Sequence, residues 1–162
     1  MQNLSELTRR LVDAQVEFVL IGGFAAVAHG VTLVTRDVDI CCRFDQANLQ
    51  RIQGALADLH PVHRSRPDLP FLFTPELCTG LKNLYLKTDL GILDCLGEVL
   101  GIGVFDEVLR QSIKVDLPFG TCRILDLEGL IRAKQAMGRD HDRITVAQLN
   151  AIRARLGEPG SQ

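Results

Sequence analysis

Residues 19–42 read VLIGGFAAVAHGVTLVTRDVDICC, and the two halves of this stretch carry different signals. In the first half an apolar, β-branched run (residues 17–21, EFVLI) stops at Gly22-Gly23 and opens into FAAVAH, closed by Gly30. That is the pattern of a buried strand, a glycine turn and a short helix. The second half ends in VDICC, whose acidic and apolar residues alternate at its start, as in a strand with one wet face. On such a strand Asp37 and Asp39 point to the same face, about 7 Å apart along the chain, while Val38 and Ile40 turn to the core.

Two carboxylates aimed into one space repel, by roughly 4 kcal/mol at 4 Å and an effective dielectric near 20. The arrangement persists if one of them is protonated, if a basic group intervenes, or if a divalent cation binds. Mg²⁺ suits such a site, because waters and substrate phosphates complete its octahedron. Upstream, Gly22 and Gly23 let the backbone approach a ligand closely, and the N–H groups of a helix start favour an anion such as phosphate. Taken singly, a D-x-D is more often an exposed strand face, and a glycine pair more often a tight turn. A third acid, Asp94, stands inside the apolar run GILDCL, where a charge needs a partner. Asp89 competes for that role but falls where two strands, residues 83–88 and 90–96, are expected to turn.

Working outward, residues 4–14 show helical spacing with Asn3 or Ser5 as cap, and Asp45 caps a helix over residues 46–59. Residues 60–80 read as a loop in which the cluster His60, His63, Arg64 and Arg66 is expected to be solvated, with contact to an acceptor as the alternative. His29 is expected to act at the C-terminus of its helix. A hairpin is expected from residues 112–115 and 121–125 across Pro118-Phe119-Gly120. Asp126 caps LEGLIRAKQAM, which Gly138 ends, and a last helix covers residues 142–156. This order predicts an α+β (mixed α/β) fold, a central mixed sheet flanked by helices. One domain is expected over residues 1–156, with residues 157–162 as a disordered tail.

The 162 residues are 46% hydrophobic and 23% charged with a net charge of −2, so any nucleic-acid contact needs a local basic patch. The five cysteines lack zinc-type spacing and read as buried, reduced thiols. With no signal-peptide pattern and no apolar run of membrane length, a soluble, cytoplasmic protein is expected. The run Leu100-Gly-Ile-Gly-Val-Phe has Asp106 where a dinucleotide fingerprint needs a third glycine, and no Walker or G-x-S-x-G motif occurs.

Strand, Gly-Gly, helix and then a strand bearing D-x-D, followed by a later strand carboxylate, resembles the DNA polymerase beta-like nucleotidyltransferase superfamily. Thr35-Arg36-Asp37-Val38-Asp39 is similar to the Thr-x-Asp-x-Asp of its small bacterial members. Further matches are Asp126-Leu127, Lys134, Gly138-Arg139, Asp142 and Leu149, so the likeness covers most of residues 17–150. The best match is to the minimal nucleotidyltransferases of toxin–antitoxin and abortive-infection systems.

The resemblance implies transfer of a nucleoside monophosphate from an NTP such as ATP to a hydroxyl on RNA, protein or a small molecule. It implies Mg²⁺ or Mn²⁺ held by Asp37, Asp39 and Asp94 in a two-metal arrangement. Gly22 and Gly23 would cradle phosphates, with Lys134 and, more weakly, Arg36 and Arg139 on the nucleotide. A helical toxin or antitoxin partner is implied as well. Two departures stand out: Gly-Gly replaces Gly-Ser, and Asp140-His141 follows Arg139 where the group more often has Pro-Lys. These keep open an alternative, a catalytically inactive binding or regulatory module of the same fold.

Overall fold

The computed structural model describes residues 2–157. The chain begins with α1 (Leu4–Asp13), whose first turn is closed by Asn3 accepting from the Glu6 N–H at 3.0 Å. Then come β1 (Phe18–Ile21), α2 (Gly22–Ala28), β2 (Asp37–Cys42) and α3 (Gln46–Leu56). The helix α2 starts at the glycines themselves rather than after them. Asp45 caps α3 through the Asn48 N–H at 2.7 Å. Asn48, fully buried, also bonds Glu17 and Arg43, so one side chain fastens the start of β1 and the end of β2 to α3.

The stretch expected to be pure loop carries two short elements, β3 (Val62–His63) and α4 (Pro75–Cys78). Neither is long enough to show a period, though Thr74 before Pro75 is a helix-start signal, with its hydroxyl accepting from the Leu77 N–H. β4 (Asn83–Thr88) and β5 (Gly91–Leu96) form the expected hairpin about Asp89. A small ribbon, β6 (Glu98–Val99) with β7 (Gly103–Val104), and the one-and-a-half-turn α5 (Phe105–Arg110) follow, where no element was expected. The hairpin β8 (Ser112–Leu117) and β9 (Gly120–Leu125) leads into α6 (Leu127–Met137), capped by Asp126 and stopped by Gly138 at φ +64°. The chain closes with α7 (Asp142–Leu156). Of the expected tail, Gly157 serves as the α7 C-cap and the rest lies outside the described residues.

Seven strands make one mixed sheet in the order β3-β4-β5-β2-β1-β9-β8. β2 and β5 run parallel, as do β1 and β9, and the other neighbours are antiparallel. The alternation read from sequence is the alternation of burial. Val38, Ile40, Leu84, Leu86, Leu93 and Cys95 are buried, while Asp37, Asp39, Tyr85 and Asp94 stand on the wetter face. α1 and α3 pack together through Leu7, Leu11, Leu49, Ile52 and Leu56. α2 lies on β1 and β2 and touches α6, which pairs with α7. This second layer brings α6 alongside the carboxyl-bearing strands.

Candidate active site

A single register row crosses the sheet at the site. Ile21 on β1 faces Asp39 on β2, Asp39 faces Asp94 on β5, and Asp94 faces Tyr85 on β4. The row continues beyond β4 to Arg64, whose N–H donates to the Tyr85 carbonyl at 2.7 Å. Asp37, two residues before Asp39, shares its face. One carboxylate oxygen from each of Asp37, Asp39 and Asp94 lies within 4.8 Å of the other two. Asp89, the competitor for the third position, does not join this group: it sits in the β4–β5 turn and pairs with His60 at 2.6 Å.

The electrostatics follow from this crowding. Burial, then the charges of Asp94 and Asp37, push the Asp39 carboxyl up to about 6, against a smaller pull from Lys134 and Arg139. Asp94 is also raised, by burial first, with its hydrogen bond and charge pairing to Arg64 opposing and Asp37 adding. The donor set is all oxygen and carries excess negative charge, which fits a hard divalent cation such as Mg²⁺ or Mn²⁺.

Gly22 is required by the same packing. A Cβ there would fall 2.3 Å from Asp39 Oδ2, and the residue holds φ +71°. The glycine allows the start of α2 to touch the carboxylate. At Gly23 a Cβ would meet the Thr35 hydroxyl at 3.1 Å and Leu33 at 3.2 Å, a tighter than usual fit.

Opposite the carboxylates, α6 and the turn after it supply cations. Lys134 is buried and donates to Asp142 Oδ1 at 3.2 Å, while Arg139 donates to Asp142 Oδ2 at 2.6 Å from Nε. Burial pushes the Asp142 carboxyl up, but the hydrogen bond from Arg139 and the charge of Lys134 outweigh it and leave it below the ordinary value. Between these walls lies a cleft of about 280 Å³. Its lining combines Gly22, Asp39, Asp94, Lys134 and Arg139 with apolar side chains such as Leu96, Val99, Leu100, Ala133 and Met137.

Of the residues singled out from sequence, the fold brings Gly22, Asp39, Asp94, Lys134 and Arg139 to one cleft, with Asp37 beside them. Arg36 is not among the residues lining it; its side chain is exposed before β2. His29, the C-cap of α2, turns its ring to the Leu125 carbonyl at 2.9 Å. Three residues at the site were not assigned a role from sequence. Arg64 reaches Asp94, Tyr85 stands beneath it, and Asp142 holds both cations. Tyr85 had a signal available, as the one tyrosine of the chain on the polar phase of an alternating strand.

No protein-family model and no curated protein matches the chain. Among solved structures it is similar to one described as a "putative nucleotidyltransferase" from Thermotoga maritima. The TM-score is 0.55, over 94% of this chain and 89% of that one, at 18% sequence identity. The chain has a nucleotidyltransferase fold. At that identity the likeness carries the fold alone. Among the described residues no helix is long and apolar enough to cross a membrane.

Proposed function

We propose that this nucleotidyltransferase-fold protein is a metal-dependent enzyme that moves a nucleoside monophosphate from an NTP to a hydroxyl acceptor. The observation that carries this reading is the meeting of three strand carboxylates with oxygens within 4.8 Å, two of them, Asp39 and Asp94, lining a cleft that Lys134 and Arg139 also line. A negative end and a positive end in one small cleft suit a triphosphate bridged to cations. The apolar side chains in the same lining, Leu96, Val99, Leu100, Ala133 and Met137, would suit a base.

Asp37, Asp39 and Asp94 would hold Mg²⁺ or Mn²⁺, which supplies charge neutralisation on the triphosphate and on the attacking and leaving oxygens. Lys134 and Arg139 meet the phosphates, already aimed by Asp142. The backbone at Gly22 lies against Asp39 and would share the phosphate-bearing end with it, while Gly23 packs on Thr35 and Leu33 and is not among the residues lining the cleft. The acceptor oxygen attacks the α-phosphorus, the bond from that phosphorus to the bridging oxygen breaks, and pyrophosphate leaves with the electron pair. Asp94 takes the hydroxyl proton. Arg36 lies outside this cleft, and a contact with nucleotide would require the segment before β2 to move.

The acceptor class, a helical toxin or antitoxin partner and a cytoplasmic setting rest on the sequence resemblance. The inactive-module reading draws on the Gly-Gly turn. Calorimetric titration of each NTP with Mg²⁺ into wild type and Asp37→Asn/Asp39→Asn separates the readings. The enzyme reading expects saturable binding that needs both metal and the aspartates, with pyrophosphate release once an acceptor is present. Binding indifferent to the aspartates, or none, would sink it and leave the inactive module.

A further inference from the structure

The register row that carries the carboxylates ends on a cation from the chain itself. Arg64 follows β3, and its main-chain bond to Tyr85 sets its side chain on the face of Tyr85, Asp94 and Asp39. Its guanidinium lies 5.6 Å from the centre of the Tyr85 ring, and Nη2 donates to Asp94 Oδ1. Among the described residues Asp37 and Asp39 form no ion pair, so Arg64 pairs with one member of the triad, and the other two feel only the more distant charges of Lys134 and Arg139, at Asp39.

We propose that Arg64 is a stand-in for the divalent cation at Asp94. In the cation-free protein it holds the third carboxylate in position, and it must leave Asp94 before a cation can take all three acids. This rests on the metal-dependent reading above. A guanidinium hydrogen-bonded to Asp94 places its positive charge within a few ångströms of any cation bound to the triad, and like charges at that separation repel strongly. The exit is short, because the Arg64 side chain is 35% exposed against 17% for Asp94. Arg64 is a positioning residue, since it acts through Asp94.

An arginine that merely orients a metal ligand and one that competes with the metal predict opposite signs. Removing an orienting group weakens cation binding, and removing a competitor strengthens it. The test is Mn²⁺ affinity without nucleotide, read by electron paramagnetic resonance of free Mn²⁺. It is run on wild type, Arg64→Ala and Arg64→Gln, with circular dichroism to show that each is folded. The glutamine variant keeps a hydrogen-bonding side chain while losing the charge. Both variants are expected to bind Mn²⁺ roughly three- to tenfold more tightly than wild type. Equal or weaker binding by the folded variants, with wild type binding normally, overturns the stand-in role alone. No Mn²⁺ binding by any of the three proteins overturns the metal-dependent reading and this inference with it.

Discussion

The two charge clusters that meet at the cleft treat buried charge in opposite ways. On α6 and α7, Asp142 is 5% exposed at its side chain yet fully served, by Lys134 at 3.2 Å and Arg139 at 2.6 Å. Its carboxyl sits below the ordinary value. On β2 and β5 three carboxylates face one another, one cation reaches only Asp94, and both Asp39 and Asp94 are raised. A network with its charges matched holds structure together. A cluster left unmatched in a fold that could have paired it is where a ligand is expected to supply the missing charge.

The contrast is broken most severely from the matched side. Asp142→Ala leaves Lys134 buried without its counter-charge, and loss of one partner from such a pair costs about 3–5 kcal/mol. Urea denaturation should show that loss. A change below about 1 kcal/mol would mean that Lys134 finds another partner or leaves its site.

On the unmatched side removal of charge should stabilise. Asp39 is raised from 3.8 to about 6, so folded protein binds this proton more tightly than unfolded chain does. Its stabilising contribution is present below pH 3.8 and is lost as pH rises through about 6, a span of about 3 kcal/mol. The metal-free Asp39→Asn variant should therefore melt above wild type at neutral pH, the gap closing as pH falls below the raised value. Added Mg²⁺ should raise the wild-type melting temperature and leave that of the variant nearly unchanged. A pH-independent gap would disprove the account from burial and crowded charge.

Gly22→Ala tests how tightly α2 is fitted to the carboxylates. A left-handed backbone costs an ordinary residue about 1–2 kcal/mol, and the contact with Asp39 adds to this. Lower stability together with weakened Mg²⁺ binding is expected, read by thermal melting with and without the ion. The smallest effect belongs to Arg139→Ala. Arg139 is 46% exposed, and Lys134 still serves Asp142 after its removal, so stability should fall by less than about 1 kcal/mol. Nucleotide affinity should fall more than stability does, and equal losses in the two measurements would place Arg139 in the scaffold alone.

Much of this was legible along the chain because it is local. Strand alternation predicted that Asp37 and Asp39 share a face, and burial follows it residue by residue along β4 and β5. The caps Asn3, Asp45 and Asp126 and the stop at Gly138 mark helix ends from their own chemistry. The elements without a periodic signal are short: β3, α4, α5 and the β6–β7 ribbon are too brief to show a period.

By itself, then, the sequence determined the mixed α/β class, the long elements and their ends, and the three acids on strands, since these depend on spacings of two to four residues. Only the tertiary structure decided that Asp39, Asp94, Tyr85 and Arg64 lie in one row, because register arises from hydrogen bonds between strands far apart in the chain. It likewise decided that Arg64, in a stretch read as solvated loop, reaches the site, and that Arg36, next to Asp37 in sequence, does not line it. Neighbours along a strand face opposite ways, whereas neighbours across a sheet face the same way.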